Sequence, residues 1–322
     1  MRSEEVPAPR PRPPVGLGPR ELRWLAGVLL AVALIFLAGP AAYPNQAFFF
    51  FMMDYLILAL GLNIIYGFTG YLPFGYTVFW GLGAYGIYIG TRLGLDEPLS
   101  FAFAIAISFL LALALLPLFR LRSHYFAIAS LAALMAVYYL IESSALEPWT
   151  NGDKGAAIPQ FYDPTLTYYV TFAFLVVSIV ATALIKYSRL GLALRAIRGN
   201  VLSAALDGVN VPMARSLAWV VSALMAAFSG AMYGWYIAFY YPEIFEVTRD
   251  VYIIAFTMFG GAGSLLGPII GTLILDTAYF FLDIYFTNYL PLVFGVLIVL
   301  LVVFLPNGLV DLISRKLGVR LP

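Results

Sequence analysis

The sequence predicts an all-α protein that crosses a membrane repeatedly, with eight to ten transmembrane helices and both termini in the cytoplasm. Its composition is the first reason: 62% of the 322 residues are hydrophobic and 11% are charged, whereas a soluble domain carries about 25% charged residues. Mean hydropathy is +0.92. Apolar runs of about 20 residues, the length that crosses a bilayer, recur along the chain. The uneven placement of the basic residues then sets the orientation.

Five transmembrane segments are predicted in the first half of the chain, after a tail at 1–23 that is rich in proline and arginine. Such a tail is too proline-rich for a helix and too polar for a core, so we expect it to be disordered and cytoplasmic. The first apolar run could be a signal peptide, but an uncleaved span is favoured because more spans follow. Pro73 marks a break before the third span. The predicted spans are 24–42, 47–66, 74–91, 100–119 and 125–141.

The second half combines clear spans with one ambiguous stretch. An acidic loop at 142–164 comes first, and a basic loop at 186–215 lies between the next two spans. The apolar stretch 251–281 is interrupted by G-G-A-G-S-L-L-G-P, so it forms either two short spans or a re-entrant pair of half-helices. A basic tail ends the chain. The spans outside the ambiguous stretch are predicted at 168–185, 217–240 and 292–305.

On this layout the basic residues collect on one side of the membrane. Of the 18 lysines and arginines, only Arg92, Lys154 and Arg249 fall on the other side. Arg249 belongs there to a predicted outer loop with the sequence P-E-I-F-E-V-T-R-D. Because basic loop residues stay in the cytoplasm, both termini and the loop 186–215 are predicted to be cytoplasmic. Residues 24–322 are most simply one transmembrane domain.

Composition and motifs exclude several kinds of site. The net charge of +1 gives no strong attraction to nucleic acid, and the absence of cysteine excludes disulfides and thiolate metal sites. With His124 as the single histidine, no histidine-based metal cluster can form, and we expect neither metal nor cofactor. The chain has no G-x-x-x-x-G-K-[ST] loop for ATP phosphates and no G-x-S-x-G motif for hydrolysis. We therefore expect it not to be an enzyme.

The basic loop 186–215 is predicted to contain two short helices. The first covers 190–197, and Arg195 and Arg198 fall on one face at i, i+3 spacing. The second covers 201–207, with Gly208 as a left-handed cap. Leu202, Ala205 and Leu206 form its apolar face. Two interpretations stay open from these residues alone: a docking element for a partner protein, or an ordinary loop whose arginines set the topology.

Three carboxylates stand in apolar runs, namely Asp54, Asp276 and Asp283. A charge at the bilayer centre costs about 2.5–3.5 kcal/mol on insertion scales, so such residues are candidates for a role in transport. Asp54 and Asp283 are predicted near span ends, where the cost is small. Glycines punctuate 67–85 and 260–268, where they would let helices approach closely. For 260–268, tight packing and a place in the permeation path both stay open.

One segment of the basic loop, A-L-R-A-I-R-G-N-V-L-S-A-A-L-D-G-V-N-V at 193–211, resembles the cytoplasmic loop of the permease subunits of branched-chain amino-acid ABC importers. The resemblance covers nearly all of the chain after the tail, and Y-F-A-I-A-S-L is typical of the longer of two paired permeases. The further matching segments, in the same order along the chain, are A-L-G-L-N-I-I-Y-G-F-T-G, G-L-G-A-Y, Y-F-A-I-A-S-L, G-G-A-G-S-L-L-G-P-I-I-G and L-P-N-G-L.

The resemblance implies a permease in the inner membrane of a prokaryote. It implies two cytoplasmic ATP-binding subunits, a second homologous permease and an extracytoplasmic substrate-binding protein as partners. The coupling helix of the family, which docks into the ATP-binding subunit, falls on Leu202–Gly208. Coupling residues are then expected at Arg195, Arg198, Leu202, Ala204, Ala205, Leu206, Asp207 and Gly208. Residues of the translocation path or of helix packing are expected at Asn63, Gly67, Gly70, Gly75, Tyr76, Gly81, Gly83, Gly260, Gly261 and Gly263.

Departures from the family pattern leave the substrate open. Val201 and Ala205 replace acidic residues that are usual in the coupling helix, Tyr76 replaces a common histidine, and His124 replaces a common proline. Branched-chain amino acids are the expected substrates, and urea or short amides are the alternative. A self-sufficient secondary transporter or channel is a hypothesis from another class; it would need an ion or selectivity site built from the intramembrane carboxylates.

Overall fold

A computed structural model of the protein describes residues 16–158, 162–286, 289–304 and 308–317. Within these ranges the chain is almost wholly helical, as predicted, and its two strands form one two-residue pair. The first helix begins at Pro19, where proline is favoured because its missing N–H would have no partner. Residues 19–23 therefore belong to that helix and not to the predicted tail, most of which lies outside the described residues.

In the first half, the predicted spans correspond to helices with slightly different bounds. A π-helical segment at Leu34–Ala38 continues the first helix, another at Asn63–Gly67 continues the third, and a 3₁₀ segment at Leu116–Arg120 follows the fifth. The helices are α1 (Pro19–Ala33), α2 (Gly39–Ala42), α3 (Gln46–Leu62), α4 (Val78–Arg92), α5 (Glu97–Ala114), α6 (Ser123–Glu142) and α7 (Glu147–Thr150).

In the second half, the ambiguous stretch resolves into two helices joined by a tight turn at 261–265. The short strand β1 (Ala156–Ala157) precedes this half, and its partner β2 (Phe239–Tyr240) lies within it. The helices are α8 (Pro164–Tyr187), α9 (Arg189–Gly199), α10 (Val201–Leu206), α11 (Val211–Ile237), α12 (Val247–Gly260), α13 (Leu266–Phe286), α14 (Leu290–Phe304) and α15 (Gly308–Leu317).

Seven helices among the described residues are long and apolar enough to cross a membrane. They are built on α1, α3, α5, α6, α8, α11 and α13. The predicted number of eight to ten also included segments that form shorter helices: α4 and α14 have 15 residues each and α12 has 14. At 1.5 Å per residue, a helix of this length is shorter than the hydrocarbon core of a bilayer.

The bundle has two chemically different ends. At one of them α5 ends and α11 begins, and Trp219 of α11 donates from its indole N–H to the carbonyl of Ala112, 3.1 Å away. The loop that carries α9 and α10 lies at this end, which we call the basic end. At the opposite end, which we call the far end, Ala156 of β1 pairs with Tyr240 of β2. Arg92 lines the same cavity as Ala156, so α4 also ends there.

Two of the short helices begin inside the bundle and run in opposite directions. From their first turns, α4 runs to the far end, whereas α12 runs to the basic end at Gly260. The two first turns meet, because Asp250 of α12 accepts hydrogen bonds from the backbone N–H of Thr77 (3.0 Å) and from its hydroxyl (2.5 Å). Thr77 is the N-cap residue of α4. The buried Asp250 thus supplies an acceptor at a helix start that water does not reach.

The packing of α4 against α11 depends on direct backbone contact. A Cβ atom at Gly230 of α11 would overlap the carbonyl group of Trp80 in α4, and a Cβ atom at Gly83 of α4 would overlap the carbonyl group of Ala227 in α11. Small residues that let two backbones touch are typical of helix packing in membranes. Each helix therefore supplies a glycine to the crossing, which fixes the position of α4 inside the bundle.

Replacing Gly230 by alanine should destabilise the protein, because the new methyl group would overlap backbone atoms that cannot rotate away. We expect a loss of about 1–3 kcal/mol or more, the usual effect of overpacking, measured as a lower thermal unfolding temperature in detergent. Gly27→Ala is the matched control, since a Cβ atom there has nothing within 4 Å. Equal unfolding temperatures for the two variants would contradict the close crossing.

Candidate functional site

At the basic end, α10 (Val201–Leu206) is a short helix whose ends are both set by the local sequence. The side chain of Asn200 caps its start by accepting hydrogen bonds from two backbone N–H groups, at 2.9 and 3.0 Å. Gly208 has a φ of +86° and follows its end, and the N–H of Gly208 donates to the carbonyl of Ala205, 3.1 Å away. The predicted short helix and its left-handed glycine are confirmed.

α10 turns an apolar face away from the rest of the chain. The side chains of Leu202 and Leu206 are 71% and 81% exposed, and Ala205 and Asp207 are exposed beside them. Ala204 is different, because it is only 1% exposed and packs in the core of its own chain. Ala204 was predicted among the coupling residues, but because Ala204 is buried, its side chain offers no surface to a partner. The exposed face therefore consists of the predicted Leu202, Ala205 and Leu206.

The two predicted coupling arginines bind carbonyl groups of their own chain. Arg195 donates from Nη2 to the carbonyl of Lys186, 3.1 Å away. Arg198 donates from Nη1 to the carbonyl of Gly67 and, at 3.3 Å, to that of Ala262. A single guanidinium nitrogen thus joins α9 to the end of the helical run that begins with α3 and to the turn between α12 and α13. Both arginines therefore hold the basic loop in place through hydrogen bonds to backbone carbonyl groups.

Asn63 ties the same turn to α3. Its side-chain Nδ2 donates to the carbonyl of Ser264, 2.8 Å away, and its Oδ1 accepts from the N–H of Gly263 at 2.7 Å. Gly261 and Gly263 have φ values of +115° and +95°, a backbone conformation that residues with a side chain rarely adopt. The turn at 261–264 is therefore held from two sides, by Asn63 and by Arg198.

A second polar group lies halfway along α3, far from either end of the bundle. Asp54 is 1% exposed, and its Oδ1 accepts hydrogen bonds from the indole N–H of Trp80 (3.0 Å) and from the hydroxyl of Ser229. The guanidinium of Arg249 lies 3.5 Å from the other carboxylate oxygen, Oδ2. Four separate segments of the sequence, on α3, α4, α11 and α12, thus meet at one buried ion pair.

Three aromatic rings surround the guanidinium of Arg249. Its central carbon lies 3.9 Å from the ring centroid of Trp80, 5.2 Å from that of Tyr55 and 5.1 Å from that of Tyr233. Cation–π attraction of this kind strengthens where water is excluded. The Arg249 side chain is nevertheless 20% exposed. The site is therefore a desolvated cation that retains one open side.

The structure corrects two expectations about these charges. Asp54 was expected near a span end, but the helix begins at Gln46 and continues to Gly67, so Asp54 is near its middle. Arg249 was expected in an exposed outer loop, but it lies in the first turn of α12, paired with Asp54. The sequence did not predict this position, because α12 begins at Val247, four residues before the apolar run 251–281 that was used to locate the span.

The structure separates the other two intramembrane carboxylates. Asp276 of α13 is 5% exposed, and its charge interacts with those of Asp54 and Arg249, so it belongs to the same polar region. Asp283 is exposed near the end of α13 and lies apart from that region. Among the predicted candidates, Asp54 lies in direct contact with a cation, the guanidinium of Arg249.

Most of the predicted path or packing residues lie against other parts of the chain. The hydroxyl of Tyr76 donates to the carbonyl of Ser222, 2.8 Å away, and a Cβ atom at Gly81 would overlap the ring of Phe245. These contacts favour helix packing over an open path. Among the predicted glycines, those at which an added Cβ atom would lie within 4 Å of other atoms are Gly67, Gly70, Gly75, Gly81, Gly83, Gly260 and Gly263.

Comparisons with a family model and with individual proteins identify the same family for this chain. Residues 46–305 match the family described as "Branched-chain amino acid transport system / permease component". The chain is 26% identical to the branched-chain amino acid permease protein LivM of Escherichia coli K12, over 94% of this chain and 77% of LivM. It is 24% identical to LivH of Salmonella typhimurium, over 79% of this chain and 90% of LivH. It is 27% identical to BraD of Pseudomonas aeruginosa, over 79% of this chain and 91% of BraD. No solved structure matches.

The helical bundle with its polar interior and exposed short helix therefore defines a multi-pass membrane permease. Within that class, the chain belongs to the family of permease components of branched-chain amino acid transport systems, and it is a protein of the prokaryotic plasma membrane. The family contains transport components and not enzymes. The predicted resemblance is confirmed, including the likeness to LivM, the longer permease. A self-sufficient secondary transporter or channel is correspondingly disfavoured.

Sequence reasoning missed Arg249, Asp250, Trp80 and Ser229. A weak signal was present for the first two, because an adjacent arginine and aspartate stand immediately before an apolar run. Trp80 and Ser229 carried no such signal, because tryptophan and serine are ordinary residues of membrane helices and only the fold brings them to Asp54.

Replacing Arg198 by lysine should loosen the turn at 261–264, because the lysine nitrogen lies one bond nearer to Cα than the arginine Nη1 that binds both carbonyl groups. We expect amide hydrogen exchange at Gly261–Leu265 to become at least tenfold faster, measured by mass spectrometry in detergent. Arg189→Lys, at an exposed arginine of the same helix, should leave that exchange unchanged. Unchanged protection in the Arg198 variant would show that Asn63 alone holds the turn.

Proposed function

We propose that this chain is a permease of an ATP-driven importer for branched-chain amino acids and that α10 is the helix that couples it to an ATP-binding subunit. The exposed face of α10 carries the proposal. Leu202 and Leu206 project from a capped helix at the basic end, and the described part of the chain leaves 71% and 81% of their surface exposed. Burying one such leucine contributes about 1.5–3 kcal/mol, so this face is suited to a hydrophobic groove.

The remaining partners follow from the family. Relatives of two kinds, LivM and LivH, are both named as permease proteins of a high-affinity branched-chain amino acid transport system in Escherichia coli K12. We infer that this chain pairs with a second, LivH-like permease. Two cytoplasmic ATP-binding subunits would supply the energy, since no phosphate-binding loop stands in this sequence. A substrate-binding protein outside the membrane would deliver the substrate to the far end.

The contacts at the basic end suggest how movement would pass from the ATP-binding subunits to the membrane. α10 follows α9 after the single extended residue Asn200, and Arg198 of α9 binds the carbonyl group of Ala262 in the turn before α13. That turn also ends α12, whose first turn holds Arg249 and Asp250 in the middle of the bundle. A displacement of α10 would therefore reach Arg249 and Asp250 through the hydrogen-bonded side chain of Arg198 and along the short helix α12.

The orientation of the chain is open to a direct test, because the chain contains no cysteine. Ala196 is exposed at the basic end and Asp153 is exposed at the far end. In intact cells, a membrane-impermeant thiol reagent should label Asp153→Cys and leave Ala196→Cys unlabelled until the membrane is permeabilised. Labelling of both variants in intact cells would contradict a cytoplasmic basic end.

The proposed function is tested by uptake into proteoliposomes that contain the chain, its second permease and its ATP-binding subunits. With the binding protein and L-leucine outside the vesicle and ATP enclosed inside it, L-leucine uptake should depend on the enclosed ATP. Leu206→Glu should lower both uptake and co-purification of the ATP-binding subunits at least tenfold, because a charge would enter an apolar contact. Ala196→Glu, on exposed α9, is the control and should behave like the wild type.

Two other results would contradict this proposal in different ways. ATP-dependent uptake of urea or a short amide, without uptake of any amino acid, would replace the substrate class. Wild-type co-purification and uptake by the Leu206 variant would remove α10 from the coupling role.

A further inference from the structure

We propose that Arg249 and Asp54 form a recognition site for zwitterionic amino acids inside the bundle. Arg249 would bind the α-carboxylate of the substrate and Asp54 its α-ammonium. This inference rests on the proposed import function and assigns its substrate chemistry to two residues of this chain. Neither the family description nor the relatives' names assign these residues a role.

The position of the pair is the first argument. Asp54 is the ninth residue of a helical run that extends from Gln46 to Gly67, so it lies about 12 Å from the start of that run at 1.5 Å per residue. The pair therefore lies near the middle of the bundle. Charged groups at this depth are expensive, and they mark substrate or ion pathways in membrane proteins.

The unused bonding capacity of the pair is the second argument. Oδ1 of Asp54 binds Trp80 and Ser229, whereas Oδ2 has no hydrogen-bond partner among the described residues. Its contact with Arg249 spans 3.5 Å, which is longer than a charge-assisted hydrogen bond. The guanidinium of Arg249 carries five N–H donors, and it lies over the Trp80 ring. The two charges thus neutralise each other, while Oδ2 of Asp54 keeps an unused acceptor position.

A zwitterion supplies the missing bonds to both groups at once. Its carboxylate matches the planar fork of a guanidinium, which binds carboxylates with two parallel hydrogen bonds. Its ammonium is a compact donor that suits the free Oδ2 of Asp54. Exchanging the ion pair for two pairs with the substrate keeps every charge compensated, so the exchange avoids the penalty of a lone buried charge. A neutral amide provides neither charge.

Exposure indicates the side from which a substrate would reach the pair. The side chain of Arg249 is 20% exposed and that of Asp54 is 1% exposed. On the same turn of α12, Glu246 and Thr248 are exposed. A substrate would therefore meet the guanidinium first and Asp54 second. The rings of Tyr55 and Tyr233 beside the guanidinium offer an apolar wall to the substrate's side chain.

The experiment measures three properties of the complete transporter in proteoliposomes supplied with ATP and its binding protein loaded with L-leucine. These are the assembly of the subunits, ATP hydrolysis stimulated by the binding protein, and leucine uptake. Arg249→Gln and Asp54→Asn should each lower uptake at least tenfold, while assembly and stimulated ATP hydrolysis stay within twofold of the wild type. Arg92→Gln is the matched control, because Arg92 also lies by a tyrosine ring but at the far end. Its uptake should be unchanged.

Arg249→Lys distinguishes recognition from a purely structural ion pair. Lysine keeps the positive charge opposite Asp54 but lacks the fork for the carboxylate. If the Lys variant assembles and its uptake is at least tenfold below that of the wild type, the proposal is supported, even if the Gln variant fails to assemble. Wild-type uptake by the Lys variant together with failed assembly of the Gln variant would show that the pair only holds α3 to α12.

Two more outcomes would overturn the inference. Uptake by Arg249→Gln within twofold of the wild type would exclude recognition by the guanidinium. Leucine leakage without ATP through the same variant would identify the pair as a gate and not as a binding site. Failure of the proposed function is seen separately, in the wild type, as ATP-dependent uptake of a neutral amide instead of an amino acid; the inference then fails with it.

Discussion

The hydrogen bonds between Asp250 and Thr77 are the constraint on which the rest of the bundle depends. α4 begins at the fully buried Thr77 inside a membrane protein, where no water is present to satisfy the N–H groups of its first turn. Asp250 belongs to the first turn of α12 and accepts from Thr77 at the start of α4, so one carboxylate lies at both positive helix ends. Without it, the buried N–H and hydroxyl of Thr77 would lose their acceptor, and an unsatisfied buried donor costs about 1–3 kcal/mol.

Once the two helix starts are fixed, the neighbouring polar groups have little freedom. Trp80 is three residues beyond Thr77 and faces Asp54, while Arg249 precedes Asp250 and lies over the Trp80 ring. The ion pair is therefore a consequence of where the two helices begin. The close crossing of α4 and α11 at their glycines also helps to build the site around the ion pair, because it brings Ser229 of α11 within hydrogen-bond reach of Asp54.

The local features of this fold were predictable from the sequence, and the contacts between distant segments were not. The short helix of the basic loop and the left-handed Gly208 follow from neighbouring residues, and both were predicted correctly. Long apolar runs likewise located the full spans. The failures concern Asp54 and Arg249, which are separated by almost 200 residues in the sequence. Hydropathy assigns each charge to the nearest span end, because it carries no information about the partner that neutralises the charge.

The double hydrogen bond of Arg198 has a thermodynamic consequence. One nitrogen binds the carbonyl groups of Gly67 and Ala262, so separating the end of the second membrane helix, built on α3, from the α12–α13 turn must break one of the two bonds. If α10 docks as proposed, docking and the position of this turn are linked equilibria, and linkage is reciprocal. The factor by which docking favours one position of the turn is then the factor by which that position favours docking. Substrate that shifts the turn would thereby change the affinity for the ATP-binding subunit, so the permease would report its own occupancy across the membrane.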